Sequence, residues 1–159
     1  MVASYATKYP KRVRKILLGS LGAKMNQALF KVIEKGKVLV AEKNFSGISQ
    51  ILPEDFGQSM PEQMKKAIQV QFSRITEEQI KVFKAQSEFV ESVNYLTDII
   101  DPTMIKVNTL MINGEKDTII DVKDNEAFAK KIKKCKRIVV PGVGHFLHFE
   151  NEQIMNMYE

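Results

Sequence analysis

The sequence predicts an α/β fold with about three parallel strands, flanking helices and a long helical insertion. Three short apolar runs, Val13–Leu18, Val107–Ile112 and Ile138–Val140, have the length and composition of buried strands. The last two are separated by Val122–Lys134, in which apolar residues recur at helical spacing. A helix is the usual connection between neighbouring parallel strands, so this part of the chain indicates a βαβ unit.

Length and composition indicate one globular domain with a modest core. The chain has 159 residues, of which 44% are hydrophobic and 27% are charged. No apolar run reaches the roughly 18 residues of a membrane-spanning helix, and the first ten residues lack the apolar centre of a signal peptide. We therefore expect a cytoplasmic protein. The single cysteine, Cys135, excludes an internal disulfide and is interpreted as an incidental thiol, since no cysteine motif surrounds it.

A formal net charge of +5 raises the question of a nucleic-acid partner. The basic residues are spread through predicted amphipathic helices, and the sequence contains no nucleic-acid-binding motif. A solvated basic face is the favoured interpretation, and we expect no nucleic-acid partner. If the face does bind a partner, an acidic carrier domain or a coenzyme phosphate would suit its charge. One helix carries the basic residues Lys130, Lys131, Lys133 and Lys134.

Two of the predicted strands lead into loops that each carry a polar residue suited to catalysis. The run Val107–Ile112 is predicted to turn sharply at Asn113-Gly114 and to lead to Asp117, and the run after it leads through Gly144 to His145. Sites in open α/β sheets form beyond the carboxyl ends of strands, so these two side chains are expected to lie close together. A lone histidine is more often structural, but an imidazole beside a carboxylate can relay protons.

Residues 23–100 are predicted to form a helical insertion, which leaves residues 1–22 and 101–159 as the core of the fold. The last predicted helix begins with a capping box, Thr76 with Gln79. Its apolar positions include Phe83 and Val93. The predicted elements of the insertion are helices over Ala23–Lys35, Pro61–Phe72 and Thr76–Ile100, and a turn-rich stretch over Phe45–Pro61.

The two polar loops resemble those of the α/β-hydrolase-fold superfamily. MINGEKDTII matches the acid loop of that superfamily, and VVPGVGHFLHFE matches its histidine loop. The catalytic residues there follow the chain order Ser, Asp or Glu, His, with the acid and the histidine in the C-terminal half. The resemblance implies that Asp117 is the acid and His145 the base. Glu150 matches an acid common after this loop and is expected to pack or cap, and His148 is expected to be structural.

By the same resemblance, the insertion occupies the place of a cap or lid. A lid covers the cleft, excludes water and supplies an apolar wall for an acyl group. In the plainer interpretation, which helical spacing favours for any single residue, these side chains pack lid helices together. The candidates for the wall are Met60, Met64, Phe72, Phe83 and Phe89 in the insertion, and Phe146 after the histidine.

The nucleophile motif of the superfamily, G-x-S-x-G, is absent from the sequence. The opening stretch resembles the helix that follows the nucleophile and the next strand of the sheet. The helical part is predicted to place Val2, Tyr5, Ala6 and Tyr9 on one helical face. We therefore expect the nucleophile to be encoded ahead of Met1, which would be an internal methionine.

Ser20 is the serine that most nearly fits the missing role. It would give the chain order Ser20, Asp117, His145, and Gly22 lies two residues after it. However, the strained turn of a nucleophile elbow needs small residues both two before and two after the serine. Leu18 occupies the first of these positions, so Ser20 is expected not to be the nucleophile.

A narrower resemblance is to hydroxyacyl-carrier transacylases of the rhamnolipid and polyhydroxyalkanoate precursor type. It implies transfer or release of a medium-length hydroxyacyl group from a thioester. The implied partners are a small-molecule acyl ester or thioester, with an acyl carrier protein or coenzyme A. No cofactor is expected, since the sequence has no metal-binding cluster or phosphate-binding glycine loop. The shared features are Gly57, Met60-Pro61, Ile112-Asn113-Gly114, Gly144-His145-Phe146-Leu147 and Glu150.

Two functions of different classes are open at this point. The first is the C-terminal part of an enzyme that hydrolyses or transfers an acyl ester or thioester by a Ser-His-Asp mechanism, inactive without its nucleophile segment. The second is a non-catalytic remnant or partner module. Its basis is that three strands would leave one sheet edge open, and open edges favour strand addition and self-association.

Overall fold

The computed structural model describes residues 2–92 and 96–158. These residues form one three-stranded parallel sheet in the order β1-β2-β3. The strands are β1 (Lys15–Gly19), β2 (Asn108–Gly114) and β3 (Cys135–Val140). The α/β class and the three parallel strands predicted from the sequence are confirmed.

The strands extend beyond the apolar runs from which they were predicted. The predicted turn at Asn113-Gly114 is wrong, because β2 continues through both residues, paired with Val139 and Val140 of β3. Strand β3 likewise begins at Cys135, ahead of its apolar run. Hydrogen bonding to the neighbouring strand therefore sets these boundaries, because it does not depend on the side chains that define an apolar run.

The helices account for most of the remaining chain. Those outside the connection between β1 and β2 are α1 (Val2–Lys8), α7 (Val122–Lys130) and α8 (Leu147–Glu150). Those between β1 and β2 are α2 (Gln27–Ala41), α3 (Phe45–Ile51), α4 (Glu62–Phe72), α5 (Glu77–Ser92) and α6 (Leu96–Ile99). A π-helical turn covers Leu52–Phe56, and short 3₁₀ helices cover Pro10–Arg12, Pro102–Met104 and Glu152–Tyr158.

Two apolar clusters form the core on the two faces of the sheet. Successive residues of a strand point to opposite faces, so Met111 and Ile112 of β2 belong to different clusters. The first cluster contains α1 and α7 and includes Ala6, Ile16, Met111 and Phe128. The second contains α8 and the last 3₁₀ helix and includes Ile112, Val140, Leu147 and Ile154.

Helix α1 buries a narrower face than its apolar pattern predicts. Ala3 and Ala6 are buried, whereas Val2, Tyr5 and Tyr9 are 56%, 47% and 38% exposed. Of the four residues predicted to share one helical face, only Ala6 is therefore buried. The helix packs on strand β1 through its small residues, which leaves an apolar and aromatic surface on its outer side.

Two predicted helix starts are confirmed by their hydrogen bonds. The amide of Thr76 donates to Oε1 of Gln79 at 2.9 Å, and the amide of Gln79 donates to Oγ1 of Thr76 at 3.2 Å, which is a complete capping box. Asp121 caps α7 by accepting hydrogen bonds from the amides of Lys123 and Asp124. Helix α7 ends at Lys130, earlier than predicted, because the following residues turn into β3.

Every element described between Gln27 and Ile99 is helical. The helix predicted over Thr76–Ile100 is helical in both of its described parts, α5 and α6, and Val93 lies outside the described residues. The division of the chain into a core and a cap stays a prediction. Within the described ranges, no helix combines the length and the apolar character needed to cross a membrane.

Candidate active site

An acid and an imidazole lie together beyond the carboxyl ends of β2 and β3. Oδ2 of Asp117 is 3.0 Å from Nδ1 of His145. Because a carboxylate can only accept hydrogen bonds, the imidazole donates from Nδ1. The side chain of Asp117 is fully buried, and that of His145 is 19% exposed. The structure therefore brings together the two residues that the sequence singled out, with the imidazole on the solvent side.

The second carboxylate oxygen of Asp117 is held by its own loop. Oδ1 accepts hydrogen bonds from the amides of Ile119 at 3.0 Å and Ile120 at 2.9 Å. Both isoleucines are buried, so the loop is anchored in the core on the far side of the carboxylate. A buried carboxylate is costly without hydrogen-bond partners, and these bonds leave its other oxygen directed at the imidazole.

Glu150 fixes the backbone on both sides of His145. Oε2 of Glu150 accepts a hydrogen bond from the amide of Gly144 at 2.6 Å, and Oε1 accepts one from the amide of Phe146 at 3.0 Å. Hydrogen bonds from backbone amides to a carboxylate are stronger than those between neutral groups. One side chain thus sets the position of the loop that carries the imidazole.

The acid loop and the histidine loop are also joined directly through their backbones. The amide of Lys116 donates to the carbonyl oxygen of Val143 at 2.8 Å. Oε2 of Glu115 accepts from the amide of Gly142 at 3.0 Å. Gly114 sits between the loops: a Cβ at this position would lie 2.1 Å from the carbonyl oxygen of Gly144. Only glycine allows the two loops to approach this closely.

Ser20 contacts the histidine loop, but its hydroxyl bonds the main chain of His145 and not the imidazole. Its Oγ donates to the carbonyl oxygen of His145 at 2.5 Å, and its amide donates to the carbonyl oxygen of Ile112 at 3.0 Å. Ser20 has a φ of +44°, a left-handed conformation that is rare outside glycine. No helix follows it directly, since α2 begins at Gln27. This hydroxyl bonds the backbone of the histidine loop, whereas a nucleophile would bond the imidazole.

Aromatic rings from the helical connection between β1 and β2 and from the histidine loop lie beside the imidazole. The ring centroids of Phe56 and Phe146 lie 5.2 Å and 5.5 Å from that of His145, and they are 6.1 Å from each other. Such tilted arrangements are favourable for aromatic pairs. His148, on the outgoing side, is exposed and rests against Phe149 at 5.2 Å. The imidazole of His145 is therefore bordered by an apolar wall.

Two of the five insertion residues predicted for the apolar wall line a hollow in the structure. Phe72 and Phe83 line an apolar hollow of about 270 Å³ among the helices α2 to α5. Met60 is buried against Gly57 in the turn before α4, and Met64 is 37% exposed on that helix. Phe89 is 62% exposed on α5. The role of each in substrate binding stays a prediction.

Sequence reasoning missed Phe56, the residue of the β1–β2 connection whose ring lies beside the imidazole. It lay in a stretch interpreted only as turn-rich, between Pro53 and Gly57. Pro53 cannot donate a backbone hydrogen bond, and the chain continues α3 as a wider π-helical turn closed by the Gly57 amide on the Leu52 carbonyl oxygen, at 2.8 Å. An aromatic residue three positions after a proline and directly before a glycine was the available signal.

The basic run and the single cysteine lie away from this site. The described residues contain no group of three or more His, Cys, Asp or Glu side chains that could hold a metal ion. The predicted basic run, from Lys130 to Lys134, precedes β3 and so lies at the opposite end of the strand from His145. Burial raises the pKa of the Cys135 thiol, with a weaker opposing effect from Arg137, which is the reverse of what a nucleophile needs.

Comparison with known proteins agrees with this description of the fold. The sequence profile of the family described as alpha/beta hydrolase fold matches residues 18–152. This match covers most of the chain, which therefore belongs to the α/β hydrolase fold family. None of the curated proteins matches the chain.

Many solved structures share the fold. An α/β hydrolase enzyme from a Medee basin deep-sea metagenome library superposes with a TM-score of 0.78 and 18% identity, over 99% of this chain and 58% of that one. The hydrolase of 2-hydroxy-6-oxo-6-phenylhexa-2,4-dienoate from Rhodococcus sp. strain RHA1 superposes with a TM-score of 0.74 and 17% identity, over 99% of this chain and 57% of that one. A thermophilic esterase from Thermogutta terrifontis superposes with a TM-score of 0.69 and 18% identity, over 99% of this chain and 58% of that one. The chain thus spans less than two thirds of the length of these structures.

Proposed function

We propose that Asp117 and His145 are the acid and the base of a Ser-His-Asp triad that acts on an acyl ester or thioester. The observation that carries the proposal is the 3.0 Å hydrogen bond between Nδ1 of His145 and Oδ2 of Asp117. With Nδ1 occupied by the buried carboxylate, the neutral ring presents Nε2 as its acceptor. Among the described residues, no group forms a hydrogen bond with Nε2, so it is available to a nucleophile and a substrate.

The proposed mechanism assigns one task to each residue. Nε2 of His145 takes the proton of the attacking hydroxyl, which adds to the acyl carbon of the substrate. The imidazolium then returns this proton to the leaving alcohol or thiol. Asp117 holds the ring in the correct tautomer and stabilises its positive charge. The same steps with water, or with another acceptor, release or transfer the acyl group.

We propose that the nucleophile comes from a segment outside these 159 residues. The sequence lacks G-x-S-x-G, and Ser20, the nearest candidate, donates its hydroxyl proton to the main chain of His145. An ester substrate is in line with the esterase among the structural relatives. Transfer to or from a carrier protein or coenzyme A stays a prediction, and the basic run gives it no support, since a carrier bound there would sit far from His145.

The test is an assay with p-nitrophenyl esters and acyl thioesters, on this chain and on a longer version that carries the nucleophile elbow ahead of it. We expect no turnover from the chain alone and turnover from the longer version. His145→Ala should abolish the activity, and Asp117→Asn should lower kcat by about 10⁴-fold, as loss of the acid does in other triads. His148→Ala is the matched control, because that exposed histidine should be dispensable.

Two results would contradict the proposal. One is full activity of His145→Ala in the longer protein. The other is turnover by this chain alone that disappears with Ser20→Ala, which would make Ser20 the nucleophile.

A second candidate function is a non-catalytic module that associates through strand β1. Within the described residues, β1 has a strand neighbour only on its β2 side. Leu17 of this strand is 36% exposed, the exposed Tyr5 belongs to the helix packed on it, and the exposed Tyr9 directly follows that helix. Open strand edges favour pairing with a further strand. Sedimentation analysis separates the candidates: a concentration-dependent dimer of the chain favours the module, and a monomer counts against it.

A further inference from the structure

We propose that Phe56 separates His145 from an apolar passage inside the lid, and that this passage takes the unbranched hydrocarbon chain of the substrate. This inference rests on the proposed function and deepens it, since it names the substrate class. The critical observation is that Phe56 has two neighbours. Its ring lies 5.2 Å from the His145 ring and also lines the hollow among the lid helices.

The inner hollow is suited to a hydrocarbon. It holds about 270 Å³, and no charged side chain lines it. Pockets for small molecules are mostly apolar, with a few polar groups at defined positions. Here the polar groups, Gln86 and Ser87, come from α5 alone. The other lining residues include Leu29, Val32, Ile48, Phe56, Phe72 and Phe83.

A second hollow adjoins the first, which would suit an elongated ligand. This second hollow, of about 420 Å³, also has Leu52, Phe72, Phe83 and Gln86 in its wall, and it extends to Ile75. Four shared residues mean that the two hollows adjoin along α4 and α5. A straight chain that passes Phe56 can therefore run on between these helices, whereas a compact group of similar size would remain at the entrance.

Phe56 is suited to be the partition because of its backbone. It ends a π-helical turn, and such turns occur frequently at functional sites. The ring is half-buried, lies beside the rings of His145 and Phe146, and also lines the hollow. A rotation of this ring about its Cα–Cβ bond would connect the imidazole to the hollow. The scissile acyl carbon would then lie at His145 and the chain inside the lid.

The first experiment measures binding of straight-chain alkanoates, from butanoate to dodecanoate, to the chain by calorimetry. Burial of each methylene is worth about 0.8 kcal/mol, so the affinity should rise about 4-fold per added carbon until the passage is full. The compact 1-adamantanecarboxylate should bind more weakly than undecanoate, which has the same number of carbons. A flat series, or equal binding of the compact acid, would overturn the proposal.

Two matched substitutions on α2 locate the chain. Val32→Phe fills the inner hollow and should end the rise in affinity several carbons earlier. Val38→Phe adds the same bulk at a position that is 54% exposed and should leave the series unchanged. Equal effects of the two variants would refute the assignment. If Val32→Phe does not fold, as judged by circular dichroism, the wild-type series and the comparison of compact and straight acids decide.

The partition itself is tested through the histidine NMR signals. His145 and His148 are the two histidines of the chain, so His148→Gln assigns both. Decanoate should shift the ring signal of His145 in the wild type and much less in Phe56→Ala, which has no ring to displace. Binding that leaves the His145 signal unchanged would refute the role of Phe56. None of these measurements needs a nucleophile, so failure of the triad proposal would appear separately, as absent turnover in the longer protein with intact binding by this chain.

Discussion

The carbonyl oxygen of Gly144 lies 2.1 Å from the point where a Cβ on Gly114 would stand. This approach joins the last residue of β2 to the loop that carries His145. It lets the amide of Lys116 reach the carbonyl oxygen of Val143 at 2.8 Å, and it places Asp117 beside the imidazole. The spacing between the proposed acid and base therefore depends on a missing side chain.

Gly114→Ala should separate the two loops and destabilise the protein. A methyl group cannot occupy that space without backbone movement, and overpacking of this kind costs about 1–3 kcal/mol or more. We expect a lower free energy of unfolding in urea, and NMR shifts at the His145 ring. Gly36→Ala is the control. Gly36 lies in α2, and a Cβ there would meet the Phe83 ring of α5 at 3.4 Å, an ordinary van der Waals distance. That change should be neutral or stabilising, by up to about 1 kcal/mol.

Glu150→Gln should loosen the histidine loop. An amide offers one acceptor oxygen in place of two, so either the amide of Gly144 or that of Phe146 loses its partner. The expected cost is about 1–3 kcal/mol, with faster hydrogen exchange at these two amides. Glu152→Gln removes a charge from the neighbouring 3₁₀ helix and should change neither quantity. Unaltered exchange in Glu150→Gln would show that this carboxylate does not hold the loop.

Ser20→Ala should weaken the site without abolishing catalysis in the longer protein. The substitution removes the hydrogen bond from Oγ to the carbonyl oxygen of His145, worth about 1 kcal/mol, and leaves a residue with a Cβ at φ +44°. We expect kcat to fall by about tenfold or less, far less than for His145→Ala. Ser73→Ala deletes a similar but exposed bond to the Val70 carbonyl oxygen and should have little effect on activity.

Cys135 should react slowly with iodoacetamide in the folded protein. Burial raises the pKa of this thiol above its ordinary value, so the reactive thiolate is scarcer at neutral and mildly alkaline pH than in an unfolded chain. The alkylation rate of native protein should therefore fall below that of urea-unfolded protein, and it should rise as the pH increases. A native rate equal to or above the unfolded rate would contradict the shielding of this thiol.

The sequence by itself determined the parts of this protein that depend on local pattern. Apolar runs gave the three strands, and the capping residues Thr76 and Asp121 gave two helix starts, because such signals act over a few residues. The strand-loop-acid and strand-loop-histidine patterns were enough to pair Asp117 with His145, since parallel strands present their carboxyl ends at one edge.

Only the tertiary structure determined the contacts between segments that are distant in the chain. Gly114 was predicted to be a turn residue. It is instead a strand residue, and the Gly144 backbone leaves no room for a side chain there. The contact of Phe56 with His145 joins residues far apart in the chain, and no local pattern encodes it. The inward face of α1 was also set by its neighbours, because close packing on the sheet admits Ala6 and excludes Tyr5. Periodicity reports which residues share a face, and packing alone determines which face is buried.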